Sequence, residues 1–217
     1  IILTGFTDIE DLVDAINSGQ VYKYITKPWD PNELKAVVQR AAETYEVLKQ
    51  RTEELRRAQA QTALLSTIVH VAQSSERVED CLEPIAKAFG ENFAADGCIL
   101  QLVEGDALSS TSGIYSADDA VVNWLAEDPL VKDAIANSQM QVSLNIPSDP
   151  ALSAVEHYSN SGIQAHLVTA IAYRGKLLAV LSLQWKKPCQ LREDEIKLIH
   201  LSAQQVALAL TSTRTAA

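Results

Sequence analysis

The chain has 217 residues, 47% of them hydrophobic, which is material for one full core plus a smaller element. A formal charge of -10 and a pI near 4.8 exclude a nucleic-acid interface built on clustered Lys and Arg, so nucleic acid is not expected as a partner. No apolar run approaches the roughly 20 residues that span a bilayer, and IILTG at the start has neither an initiator Met nor a basic leader. A cytoplasmic segment cut from a longer chain, without membrane contact, is expected. In chain order, Ile1 to Thr4 is a short apolar run ending in a hydroxyl, the pattern of a parallel strand buried on both faces. Asp8 can cap a helix with apolar positions Ile9, Leu12, Val13 and Ile16, closed by Gly19. Val21 to Thr26 reads as a second strand, stopped by Lys27-Pro28. Ligands of open α/β sheets gather at the carboxyl ends of the strands, so Thr4 and Lys27 are both placed where a phosphoryl group could sit.

A helix follows from Pro31, capped by Asn32 or Asp30, with no Gly or Pro before Pro84. Leu34, Val38, Ala41, Tyr45, Leu48, Thr52 and Leu55 alternate in steps of four and three, a heptad seam, and beyond Leu55 the stepping becomes irregular. The spacing predicts a parallel two-helix coiled coil and hence a homodimer. From about Thr62 the elements change to helices interleaved with antiparallel strands. A helix through Ile85, Phe89 and Phe93 ends near Gly97; Cys98 to Val103 and the stretch after Gly105-Asp106 are strands. Ser116 to Asn137 reads as one or two helices broken at Pro129, and QVSLNI as a short strand. HLVTAIAY, a turn at Arg174-Gly175-Lys176 and LLAVLSLQW form a hairpin, and a closing helix opens with Arg192-Glu193-Asp194-Glu195. The whole predicts an antiparallel sheet with helices on one face.

Cys81, Cys98 and Cys189 are odd in number and far apart, so reduced, mostly buried thiols are expected. His70, His157, His166 and His200 lack any spacing that would place two imidazoles on one helical face, so no metal site is expected. No GxSxG, Walker A, HExxH or dinucleotide fingerprint occurs, and the segment is expected to be non-catalytic.

Thr4 in LTG, with Tyr24-Ile25-Thr26-Lys27-Pro28-Trp29, resembles the carboxyl-terminal part of response-regulator receiver domains. The resemblance implies that Thr4 is the switch hydroxyl, Tyr24 the switch aromatic, and Lys27-Pro28 the phosphoryl-sensing motif. It also implies an acidic pair binding Mg and a phosphoacceptor Asp upstream of Ile1, and a sensor histidine kinase as partner. TAIAYRGKLLAVLSLQW and LREDEIKLIHLSAQQVALAL resemble the central hairpin and closing helix of GAF domains. That family includes cyclic-nucleotide, bilin, haem and redox sensors. The cyclic-nucleotide motif is matched only in fragments, at Gln184 to Lys187 and Asp194-Glu195, and the segment Ser153 to Ser161 offers His157 but no Cys for a bilin. No cofactor is therefore expected, and the GAF ligand stays open. Tyr115, Trp124, His157, Tyr158 and His166 are the candidate pocket residues.

The expected organisation is mixed α/β and α+β: a partial doubly wound receiver segment over 1–50, a linker helix over 31–75 overlapping its last helix, and a GAF domain over 62–212. The function expected is two-component regulation, a receiver coupled through a coiled coil to a GAF domain that dimerises or recruits an output protein. The alternative is a small-molecule-sensing GAF module controlling a partner or output domain.

Overall fold

The computed structural model describes residues 1–4, 17–19, 21–105, 107–118 and 121–215, with only the backbone of residues 4, 26, 214 and 215. The chain divides into two compact units, Ile1–Gln59 and Ala60–Ala217. In the first, strands β1 (Ile2–Thr4) and β2 (Tyr24–Thr26) pair in parallel, Ile2 opposite Tyr24 and Thr4 opposite Thr26. Thr4 therefore ends β1 beside the strand end that leads into Lys27. The expectation that β1 is buried on both faces is corrected: Ile1, Ile2 and Leu3 are all exposed. A parallel strand is buried only when layers cover it, and among the described residues of this unit only Ile25 and Val37 are buried. Gly19 adopts φ 71°, the left-handed geometry that closes a helix. The helix predicted from Asp8 through Ile16 lies outside the described residues.

Helix α1 (Pro31–Ser74) begins where Asp30 Oδ1 accepts from the N–H groups of Asn32 and Glu33, at 2.7 and 3.3 Å, so Asp30 rather than Asn32 is the cap and Pro31 fills the first helical position. Along the predicted seam Leu34 and Ala41 are half-buried, whereas Val38, Tyr45, Leu48 and Leu55 are 50, 63, 60 and 65% exposed. The helix ends at Ser74, ten residues before Pro84, and a second helix, α2 (Val78–Asn92), follows. In the second unit α1 buries Leu64, Ile68 and Val71, and the break lets α2 turn Val78, Cys81, Leu82, Ile85 and Phe89 into the same core. Ser74 Oγ bonds back to the His70 carbonyl at 2.9 Å, a local bond that competes with continued helix. Pro84 sits inside α2 rather than ending a helix. Both it and Asp80, whose carbonyl loses its helical donor to Pro84, are exposed, so water can satisfy that carbonyl.

The second unit is built on a five-stranded antiparallel sheet in the order β4-β3-β7-β6-β5. Its strands are β3 (Gly97–Glu104), β4 (Ala107–Ser116), β5 (Gln141–Ser143), β6 (Ala165–Tyr173) and β7 (Lys176–Trp185). Helices on one face only were expected, but both faces are covered. One carries α1, α2 and the closing helix α6 (Glu193–Thr215) over a core with Phe89, Leu100, Leu181, Val206 and Leu210. The other carries α3 (Pro129–Asn137), α4 (Pro150–Ser153), α5 (Glu156–Ser161) and their loops over two smaller clusters. Uninterrupted burial of Gly97 through Val103 on β3 requires cover on both sides. The helical reading of Ser116 to Asn137 holds only from Pro129. Before it, Asn123 donates to Gln101 Oε1 at 3.0 Å and accepts from the Leu125 N–H at 3.2 Å, tying an irregular loop to β3 and turning Leu125 fully inward. At the start of helix α6 the Glu195 carboxylate reaches back to accept from the Arg192 N–H at 2.9 Å.

Candidate functional site

Strands β6 and β7 meet in a two-residue turn in which Arg174 and Gly175 both have positive φ, 50° and 79°, the mirror-image turn that matches strand twist. Tyr173 pairs with Lys176 and Ala172 with Leu177, then an irregularity shifts the register so that Ile171 faces Ala179. From there His166 lies opposite Gln184 and Val168 opposite Ser182. Alternation now divides the hairpin by chemistry. Ala165, Leu167, Leu181, Leu183 and Trp185 enter the large apolar core. His166, Ser182 and Gln184 share the other face with Val168 and Val180.

That second face holds a buried polar network centred on Asp128, which caps α3 by accepting from the Val131 N–H at 3.0 Å. Asp128 Oδ2 lies 2.9 Å from His157 Nε2, and Oδ1 lies 3.7 Å from His166 Nδ1. The Tyr158 hydroxyl is 2.9 Å from the same His166 Nδ1, His166 Nε2 is 2.8 Å from Ser182 Oγ, and Gln184 Nε2 donates to Ser182 Oγ at 3.0 Å. Asp128, His166 and Ser182 are fully buried. Burial drives the His166 imidazolium out, lowering its pKa to about 4 against the partial support of the Asp128 charge. Burial, reinforced by Asp128, pushes the Tyr158 phenol well above its usual range, so it keeps its proton. Trp124 stacks on His157 with ring centres 4.0 Å apart and meets Tyr158 and His166 edge-on.

The network opens onto a cavity of about 460 Å³. Trp124, Val121, Val122 and Ile163 give it apolar walls; His157 and Gln184 are the points where the network reaches it. Of the predicted pocket residues, Trp124, His157, Tyr158 and His166 come together in one aromatic cluster, though only Trp124 and His157 line this cavity. Tyr115 is corrected: its ring packs into the large core against Gly90 of α2, on the other side of the sheet. The sequence reading missed Asp128, Ser182 and Gln184. Asp128-Pro129 carried a usable signal, since Asp followed by Pro is a helix-start pair.

In the first unit, Lys27 Nζ lies 5.3 Å from the centre of the Trp29 ring, Tyr24 is partly exposed, and the Lys27-Pro28 bond is cis. Among the described residues, no group of three His, Cys, Asp or Glu side chains could hold a metal ion. No described helix is long and apolar enough to cross a membrane. Cys81 and Cys98 are buried, Cys189 is half-buried, and all three are free thiols.

A two-faced antiparallel sheet whose helical layers border a cavity lined by Trp124 and His157 defines an α+β domain with a pocket of small-molecule size. The model of the GAF domain family matches residues 77–210, and the chain belongs to that family. The phycoerythrobilin-bound GAF domain of a cyanobacterial phytochrome is similar at 14% identity and TM-score 0.59, covering 71% of this chain and 96% of that one. So is the GAF domain of a phosphoenolpyruvate-protein phosphotransferase from Coxiella burnetii, at 17% identity and TM-score 0.57 over 73% and 96% of the two chains. The free methionine-R-sulfoxide reductase of Neisseria meningitidis, in complex with its substrate, shares 16% identity at TM-score 0.57 over 72% and 92%. These likenesses establish the fold. Over shorter stretches the chain is similar to the hydrogenase transcriptional regulatory protein HoxA, 37% identical over 49 residues in Bradyrhizobium diazoefficiens and 42% over 43 residues in Cupriavidus necator. Those matches cover 23% and 20% of this chain but only 10% and 9% of the relatives.

Proposed function

We propose that the chain is a non-catalytic, cytoplasmic regulatory segment of two-component signalling, in which a receiver element is coupled through helix α1 to the GAF domain. A sensor histidine kinase supplies the phosphoryl group to a complete receiver, Mg serves that receiver's phosphorylation site, and Thr4, Tyr24 and Lys27-Pro28 read the phosphorylated state. The observation that carries this reading is the exposed apolar seam Val38, Tyr45, Leu48 and Leu55 at heptad spacing. A second copy covers it as a parallel coiled coil. Ser182, His166 and Asp128 follow one another in a hydrolase-like order, but the serine is fully buried, so no substrate carbonyl reaches its hydroxyl.

Light scattering across a concentration series tests the seam. The wild-type chain is expected at twice its mass and the Leu48→Lys, Leu55→Lys variant as a monomer. A monomeric wild type throughout the series sinks the relay. In a chain extended upstream by the rest of a receiver, Lys27→Ala is expected to abolish phosphorylation-dependent dimerisation.

The cavity favours a second reading, in which a small molecule bound beside Trp124 and His157 is the input signal and a partner or output protein responds. A copurifying ligand lost on His157→Ala is the expected result, read by mass spectrometry of the denatured protein.

A further inference from the structure

Every proton in the buried network runs toward Asp128, and that direction fixes what the cavity offers a ligand. The Asp128 carboxylate only accepts: from the Val131 N–H, and from His157 at Nε2. Its charge, 3.7 Å from His166 Nδ1, favours the tautomer protonated there; the Tyr158 oxygen, 2.9 Å away, then accepts that proton and turns its own hydroxyl toward Asp128. His166 Nε2 is then an acceptor, 2.8 Å from Ser182 Oγ, and takes the single serine proton. The serine oxygen in turn accepts from Gln184 Nε2 at 3.0 Å. The reverse order, with the Gln184 amide turned over to accept the serine proton, would set the Nδ1 lone pair against the Asp128 carboxylate and turn the Tyr158 proton away from it.

Gln184 is 1% exposed and lines the cavity. With its amide nitrogen held by Ser182, its Oε1 lies over Gly97 of the same cavity and has no hydrogen-bond partner among the described residues. The side chain is buried but this oxygen faces the cavity and can be met by water, so a ligand that displaces the water without supplying a donor leaves the carbonyl desolvated and unpaired. Asp96 and Lys186, opposite in charge, also line the cavity; Lys186 is exposed and Asp96 half-buried, and charges in contact with water contribute little, so neither calls for a charged ligand.

Resting on the small-molecule reading above, we infer that the GAF cavity takes an uncharged ligand with an apolar body and an amide or amino N–H donor, which it recognises through Gln184 Oε1.

The test uses two probes of nearly equal shape, 2-naphthamide and 2-acetonaphthone, which differ in an NH2 against a CH3. Binding to the full chain is followed by chemical shifts of the Trp124 indole and by calorimetry. The amide is expected to bind about tenfold more tightly, the order of one buried hydrogen bond. Gln184→Leu should erase that preference without abolishing binding of the ketone. Gly97→Ala provides a variant outside the network: its added Cβ would lie 3.4 Å from Gln184 Oε1 and 2.9 Å from a methyl of Val121. It should weaken the amide about tenfold with the fold intact by circular dichroism. Equal binding of the two probes overturns the donor requirement while leaving the small-molecule reading standing; binding of neither overturns both.

Discussion

The two faces of the GAF sheet are made from the same two strands and differ in almost everything else. On one, Leu167, Leu181 and Leu183 join Phe89, Ile85 and Val206 in a dry core whose worth lies in area removed from water. On the other, alternate residues of the same hairpin supply His166, Ser182 and Gln184, and the space above them is shared between small apolar clusters, a polar network and a cavity. A single strand thus carries a dry core on one side and, on the other, the polar network beside the cavity. Substitutions on the two faces should fail in different ways.

The largest effect is expected where the apolar face allows no side chain at all. A Cβ on Gly113 would overlap the backbone of Leu82 and Glu83 in α2, so Gly113→Val should lose on the order of 3 kcal/mol or more and abolish a cooperative thermal transition. Next, Leu181→Ala should lower stability by about 2–5 kcal/mol in denaturant titration, through lost transfer energy and the void left behind. Its effect on any ligand in the cavity should be small, because Leu181 points to the other face.

The polar face should reveal itself through pH. His166 has a folded-state pKa near 4 and an ordinary value of 6.5, so between those values the unfolded chain binds the extra proton. Stability is therefore full above about pH 6.5 and falls as pH drops toward 4, by about 3 kcal/mol from this group, and levels off below. His166→Gln should flatten that limb of a melting-temperature profile; an unchanged slope would place the titration elsewhere in the network. Asp128→Ala should cost about 2 kcal/mol, leaving the Val131 N–H and the His157 proton without their acceptor, and Asp128→Asn less, since Asn still caps the helix. The smallest effect on folding of the single chain is expected for the exposed seam: Leu48→Lys should change it by less than about 0.5 kcal/mol, so any larger loss must come from association.

Much of this architecture was legible as pattern. The hairpin, the closing helix with its acidic first turn and the exposed heptad of α1 follow from alternation, turn residues and spacing. These signals are local, and local rules read them. Four features were not local. Helix α1 ends at Ser74, where no Gly or Pro stands, because the core is filled by α2 turning inward; the Ser74 hydroxyl bond to the His70 carbonyl only assists. Pro84 is tolerated because its orphaned carbonyl faces water. The loop before Pro129 is pulled out of helix by Asn123 bonding to β3. Tyr115 left the predicted pocket because strand parity sends it toward Gly90.

By itself the sequence determined that a sheet with flanking helices would form, and that His157, His166 and Trp124 were available to a site. Only the tertiary structure decided that they would meet Asp128, Ser182 and Gln184. The reason is the register shift between Ile171 and Ala172: a plain two-residue hairpin would set His166 opposite Leu183, whereas the irregularity sets it opposite Gln184. Strand spacing specifies which residues share a face along one strand. Which residues face each other across two strands is settled by where the ladder slips, and that depends on how both faces of the sheet are filled at once.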